Sequence, residues 1–196
     1  MHAMAAAMPQ QPDAPSGTLD DLTLRRAQVG EHGAWRVLVG QFERPVHALI
    51  WRLLAGRAQH RAPDLTQETF VRVLRALPRF EPDGPAKLST WILTIATRLA
   101  LNELRRPEPG PLVSEPISTT RVDHDLERKQ LGEAIAAGIA ALPDAQRAVL
   151  VLREYHELDY AEIADALELD VGTVKSRLSR ARAALRAHLT ELGVGR

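Results

Sequence analysis

Apolar residues recur at spacings of three and four along most of this chain. Nowhere do they alternate over a strand's length, so the pattern predicts helices and no strands. A first helix is expected from Leu19 to Val29, punctuated by Gly30 and Gly33. Trp35, Leu38, Val39, Phe42, Val46, Leu49, Ile50, Leu53 and Leu54 form a long second face, in which Pro45 marks a kink or a break. Residues 54–63 are polar and basic and read as a turn. Asp64 to Leu77 is the next helix, opened by Pro63 and stopped by Pro78, with Phe70, Val71, Val73, Leu74 and Leu77 as its packing face. A loop with three prolines and one glycine follows, PRFEPDGPAKLS. Such a loop inside a helical module is a functional candidate. Ser89 or Thr90 is expected to cap a further helix through Trp91, Ile92, Ile95, Leu99 and Leu101. It finishes in Arg105-Arg106, as the helix dipole prefers.

From Pro107 the periodicity stops. PEPGPLVSEPISTT holds four prolines and reads as a flexible, Pro-rich linker over 107–122. Beyond it, Asp123 to Leu142 is helical on the stripe Leu126, Leu131, Ile135 and Ile139, and Pro143 breaks it. Asp144 to Arg153 is a second helix, packing through Val149, Leu150 and Leu152. The expected fold is all-α: two small helical domains, 19–106 and 123–192, joined by that linker. Residues 1–18 form a disordered tail without the basic start or apolar core of a signal peptide.

The stretch Leu158–Leu189 carries the sharpest signal. A helix from Tyr160 to Glu168 buries Ile163, Ala164 and Leu167, a short break follows, and Asp170 caps a second helix. This is helix-turn-helix geometry. Seven acidic residues and no Lys or Arg lie between Glu154 and Asp170; five basic residues and no Asp or Glu lie between Val171 and Thr190. Val174, Leu178, Ala181, Leu185 and Leu189 share one apolar face, while Ser176, Ser179, Arg180 and Ala183 point the opposite way. Lys175, Arg182 and Arg186 line one flank and Arg177 the other. Small polar residues ringed by long cations suit a helix lying in a major groove, where cations reach phosphates and guanine edges.

Composition narrows the picture. There is no cysteine, which excludes disulfides and thiolate metal sites and suits a cytoplasmic location. Twenty-five basic residues balance 25 acidic ones, so any affinity for nucleic acid rests on local segregation of charge. No apolar run approaches a membrane span, so no membrane insertion is expected.

Three stretches in this order resemble a bacterial sigma factor of the extracytoplasmic-function (ECF) group of the sigma-70 superfamily. They are DLTQETFVRVLRAL, STWILTIATRLALNELRR and LPDAQRAVLVLREYHELDYAEIADALELDVGTVKSRLSRARAAL. The resemblance implies a subunit that binds core RNA polymerase, recognises promoters at −35 and −10 elements, and promotes strand opening. It implies that Asp64, Gln67, Glu68 and Arg72 contact the clamp of the largest polymerase subunit, with Phe70 and Val71 packed behind or beside them. The loop from Phe80 to Leu88, rimmed by Arg79 and Lys87, is implied to hold flipped bases of the melted −10 strand. Trp91 is a base-stacking or a core residue, and Arg98, Arg105 and Arg106 meet phosphate. In the second domain Lys175, Ser176, Ser179 and Arg180 are implied to read −35 base edges in duplex DNA. Thr173, Arg177 and Arg182 hold its phosphates. An anti-sigma factor is an expected further partner. Two positions depart from the family's pattern: Ala96-Thr97-Arg98 stands where Ala-Arg-Asn is usual, and Asn102 where an Asp is usual. Both bear on −10 preference.

No catalytic set can be assembled, so no enzyme activity and no cofactor are expected. His60, Asp64 and Glu68 lie four apart, but Pro63 separates the histidine from the helix, which argues against a metal. His156, Glu157 and Asp159 sit at a helix end and turn. The alternatives are a free-standing helix-turn-helix regulator or a protein-binding helical adaptor. A regulator has no need of the first module, and the basic face of the last helix argues against an adaptor.

Overall fold

The structure is a computed structural model that describes residues 19–106 and 126–193, with side chains in the second stretch from Lys129. The expected tail at 1–18, the linker at 107–122 and the helix start at Asp123 lie outside the described residues. Eight helices and no strand occur among those described: α1 Asp21–Gln28, α2 His32–Leu53, α3 Ala62–Ala76, α4 Leu88–Leu104, α5 Leu126–Ala140, α6 Asp144–Glu154, α7 Tyr160–Leu167 and α8 Val171–Glu191.

Asp20 starts α1 by accepting from the Thr23 amide at 2.9 Å and the Thr23 hydroxyl at 2.6 Å. These bonds hold its carboxyl below the ordinary aspartate range. The helix α2 does not break at Pro45, which is buried inside it. Phe42, Val46, Leu49 and Ile50 are buried on the same face, and that packing outweighs one missing backbone N–H.

Two sequence expectations are corrected nearby. In α3, Val71 and Leu74 do not pack; they are 36% and 45% exposed. The buried face runs instead through Leu65, Thr66, Thr69, Phe70 and Val73. Both threonines are tolerated there because their hydroxyls donate back to Ala62 O and Leu65 O at 2.7 Å. In α4 neither Ser89 nor Thr90 is the cap. The helix starts at Leu88 after Lys87, which makes no capping side-chain bond. The Thr90 hydroxyl donates to Glu162 Oε1 on α7 at 2.8 Å instead. Arg105 and Arg106 fall just past the last turn of α4, donating to Asn102 Oδ1 and Glu103.

α2 is packed against α1, α3 and α4, while α8 is packed against α5, α6 and α7. One apolar cluster runs through both groups. α5 and α8 approach closely at Gly138, where an added Cβ would lie 2.6 Å from Leu185 Cδ1.

Arg147, only 3% exposed, joins the two groups. Its guanidinium donates to Ile139 O, Ala140 O and Leu142 O at the end of α5, and to Leu53 O at the end of α2 (2.9 Å). Burial lowers its pKa, opposed by nearby Asp144. Arg57 spans the same seam, reaching Leu104 O and Asp144. Arg52 lies 4.1 Å over the Tyr155 ring.

Candidate nucleic-acid interface

The second helical pair is fixed at both ends by its own side chains. Asp159 Oδ1 accepts from the Ala161 and Glu162 amides, and Glu162 Oε2 accepts from the Asp159 amide at 2.8 Å. This reciprocal box starts α7. The chain leaves α7 through Glu168 in the left-handed region, φ +56, which turns it sharply. Two residues on, Asp170 accepts from the Thr173 amide at 2.7 Å and the Thr173 hydroxyl at 2.6 Å. The hydroxyl bond first, then the amide bond, keep its carboxyl below the ordinary range. Gly172 leaves room for this cap, since a Cβ there would sit 3.0 Å from Asp170 Oδ1.

α8 then buries Val174, Leu178, Ala181 and Leu185. Lys175, Ser176, Ser179, Arg180 and Arg186 are exposed, and Thr173, Arg177 and Arg182 are half-buried. The helix-wheel expectation and the observed faces agree at each of these positions other than Thr173, on which the wheel carries no expectation. Some of the side chains are already engaged. Arg182 Nε donates to Glu154 on α6 at 2.8 Å. Ser176 donates to Thr173 O at 3.0 Å, and Lys175 Nζ lies 5.7 Å over the Tyr160 ring.

The first group offers a different surface. Arg79, Phe80, Lys87 and Trp91 gather around the loop between α3 and α4, and the Phe80 and Trp91 rings meet at 5.0 Å. Both rings are half-buried, so Trp91 is neither wholly core nor free. Arg98 lies about three turns further along α4, roughly 16 Å from Lys87 at 1.5 Å per residue. It turns toward α7, pairing with Glu168 at 3.1 Å and reaching the Asp165 and Ala166 carbonyls. Arg105 and Arg106 lie beyond the far end of the helix. The seven −10 candidates therefore do not form one patch.

On α3, Asp64, Gln67, Val71 and Arg72 are exposed and Glu68 is half-buried. Arg72 pairs with Glu68 at 2.8 Å and Asp64 with Arg61 at 2.6 Å. Phe70 is buried and meets Trp35 edge-on, so it packs behind the surface. Between α2 and α3 runs a groove of about 920 Å³, walled by Trp35, Val39, Glu43 and His47 on one side and by Gln67, Val71 and Leu74 on the other.

Four participants carry no signal of their role in the sequence: Trp35, whose spacing marks only a core position, and His47, Arg147 and Gln28. Trp35, Arg147 and Gln28 act through partners distant in sequence, which periodicity does not report. Among the described residues no group of three His, Cys, Asp or Glu side chains is placed to hold a metal ion. No described helix is long and apolar enough to cross a membrane.

Comparison with known proteins adds the following. Residues 38–108 match the model of Sigma-70 region 2, and residues 132–185 that of Sigma-70 region 4. The chain is 30% identical over 183 residues to the ECF RNA polymerase sigma factor SigW of Bacillus subtilis, covering 86% of this chain and 96% of that one. It is 34% identical to the RNA polymerase sigma-H factor of Pseudomonas aeruginosa, over 85% of this chain and 91% of that one. It is 35% identical to the ECF sigma factor SigE of Mycolicibacterium smegmatis, over 91% and 70%. Among solved structures it resembles CnrH in complex with the cytosolic domain of CnrY (TM-score 0.63, 24% identity, 88% of this chain and 98% of that one). It also resembles the sigma factor RpoE in complex with the anti-sigma factor NepR from Bartonella quintana (TM-score 0.62, 20% identity, 79% and 96%). These two likenesses speak to the fold.

Proposed function

The chain belongs to the ECF group of the sigma-70 family and is an RNA polymerase sigma factor, and on that premise we propose how its residues divide the work. Residues 19–106 form the module that docks on polymerase and reads and melts the −10 element. Residues 123–192 form the −35 reader, and 107–122 tether them. Lys175, Ser176, Ser179 and Arg180 meet −35 base edges, while Thr173, Arg177 and Arg182 flank them on phosphate. The observation that carries this reading is α8. Its basic, small-residue face is exposed along its length, while its apolar face is locked onto α5, α6 and α7.

Docking on the polymerase clamp uses Asp64, Gln67, Glu68, Val71 and Arg72. The neighbouring groove adds exposed apolar surface from Val71 and Leu74, which a protein partner would cover. Phe70 supports it from behind. The loop from Phe80 to Leu88 takes the melted −10 strand, with Arg79 and Lys87 at its rim and the Phe80–Trp91 pair at its base. Stacking and cations together suit single strands. Catalysis stays with polymerase; this chain supplies specificity, in the cytoplasm. Since one solved likeness is in complex with an anti-sigma factor and another with a partner's cytosolic domain, an anti-sigma factor is proposed here too.

The closed arrangement has a consequence for this division. Elements named −35 and −10 lie roughly 85 Å apart along B-DNA. A compact chain of this length has a radius of gyration of only about 16 Å. Both readers therefore engage DNA together only after the α2–α6 and α4–α7 contacts part. Between Arg106 and Leu126 the chain can span up to ~70 Å, enough to allow it. Parting also frees Arg98 from Glu168 for phosphate.

Run-off transcription with core polymerase on a promoter library tests the reading. We expect start sites only when this chain is added, sharing one −35 and one −10 sequence. Transcripts identical with core polymerase alone would overturn it.

A further inference from the structure

Gln28 ends α1 and lies outside both regions matched by the sigma-70 models, which begin at residue 38 and residue 132. Its half-buried amide nevertheless reaches across about fifty residues of sequence. Nε2 donates to Leu77 O at 3.1 Å and to Phe80 O at 2.7 Å. These are the first and last carbonyls of the tight turn that leads from α3 into the loop. The Phe80 amide closes the same turn onto Leu77 O at 3.0 Å. One side chain therefore brackets both ends of the turn. The turn in its bracketed form leaves Phe80 extended, φ −71 and ψ 129, with its ring against Trp91. Without the bracket, Phe80 O loses a donor, and the entrance to the loop keeps only the backbone bond from the Phe80 amide to Leu77 O and the ring contact.

We propose that Gln28 is a positioning residue for strand opening: its amide sets the entry of the Phe80–Leu88 loop and so the pose of the Phe80–Trp91 pair. It touches no DNA and acts through Phe80. The inference rests on the reading that this loop takes the melted −10 strand. Capturing a flipped base needs a preformed pocket, so loosening one wall lowers the rate of opening before it affects docking or −35 binding.

The test uses the reconstituted holoenzyme on a promoter carrying a fluorescent base in the −10 element, with opening followed in time. Gln28→Met keeps the length and removes the donor. Gln28→Glu also places a carboxylate against two carbonyls. Loss of two hydrogen bonds is expected to slow opening by roughly three- to tenfold in Gln28→Met, and replacing them with repulsion by more. Affinity for core polymerase and for a −35 duplex stays unchanged. The Gln28→Glu defect alone shrinks as pH is lowered, because a protonated carboxyl donates again to one of the carbonyls. That recovery ties the defect to the bond at the two carbonyls, and a slowed opening with unchanged core and −35 affinity is what a merely structural role does not give. Unchanged opening in Gln28→Glu overturns the proposal, and so does a fall in opening matched by an equal fall in core binding. Phe80→Ala separates this from the reading beneath it. If Phe80→Ala slows opening and Gln28→Glu does not, only the Gln28 proposal fails. If Phe80→Ala leaves opening untouched, the loop reading fails and takes this proposal with it.

Discussion

Arg180 and Arg182 carry the same charge on the same helix and are not equivalent. Arg180 is exposed, whereas Arg182 is tied to Glu154 and must give up that partner to meet a phosphate. If Arg180 reads a base, Arg180→Ala costs about 1–3 kcal/mol of holoenzyme affinity and relaxes preference at one −35 position; binding to a set of single-base −35 variants measures both. Asp170 gives a second prediction. Its carboxyl is held low in the folded chain by Thr173, so its stabilisation of α8 is complete above the unfolded aspartate value of about 3.9 and is lost as pH falls through the lower folded value. The Thr173 amide resonance should therefore hold steady from neutral pH downward and move only in acid below that value. Movement centred at or above it contradicts the cap. Asp170 was legible in sequence because capping is local. The Arg182–Glu154 pair was not, because 28 residues separate its members.

The helices themselves were mostly legible, since each needed only its own periodicity. α8 was read face by face. α3 was read with too wide an apolar face: its sequence is apolar enough for Val71 and Leu74 to look like core, and only the placement of α2 decides which side is covered. The start of α4 departs from the sequence expectation for a related reason, because the Thr90 hydroxyl donates to Glu162 on α7 rather than capping its own helix. The α5–α8 crossing makes a prediction of its own. Gly138→Ala gains helix propensity of up to about 1 kcal/mol but pushes a methyl toward Leu185, which is 2% exposed and has little room to yield. Overpacking of this kind costs about 1–3 kcal/mol. A net loss of stability is expected in urea titration, and a gain would show that the crossing has room for the methyl.

At the scale of the whole molecule, the sequence suggested two modules and a tether but carried no sign that the modules pack together. Arg147, reaching across the seam to the Leu53 carbonyl, and Arg57, reaching across it to the Asp144 carboxylate, are what the periodicity hid. The chain has no cysteine, so the closed form can be tested cleanly. With Thr90→Cys and Glu162→Cys, a short bis-maleimide should link the modules efficiently in the free chain and poorly once core polymerase is bound. Equal yields in both states contradict opening on assembly. Zero formal net charge fits the same picture, since a weakly attracted reader becomes specific only when a second contact holds it in place. A gel shift on promoter duplex, with and without core polymerase, tests this most directly. A sequence-specific shift is expected only when chain and core are both present. Strong specific binding by the isolated chain would contradict it.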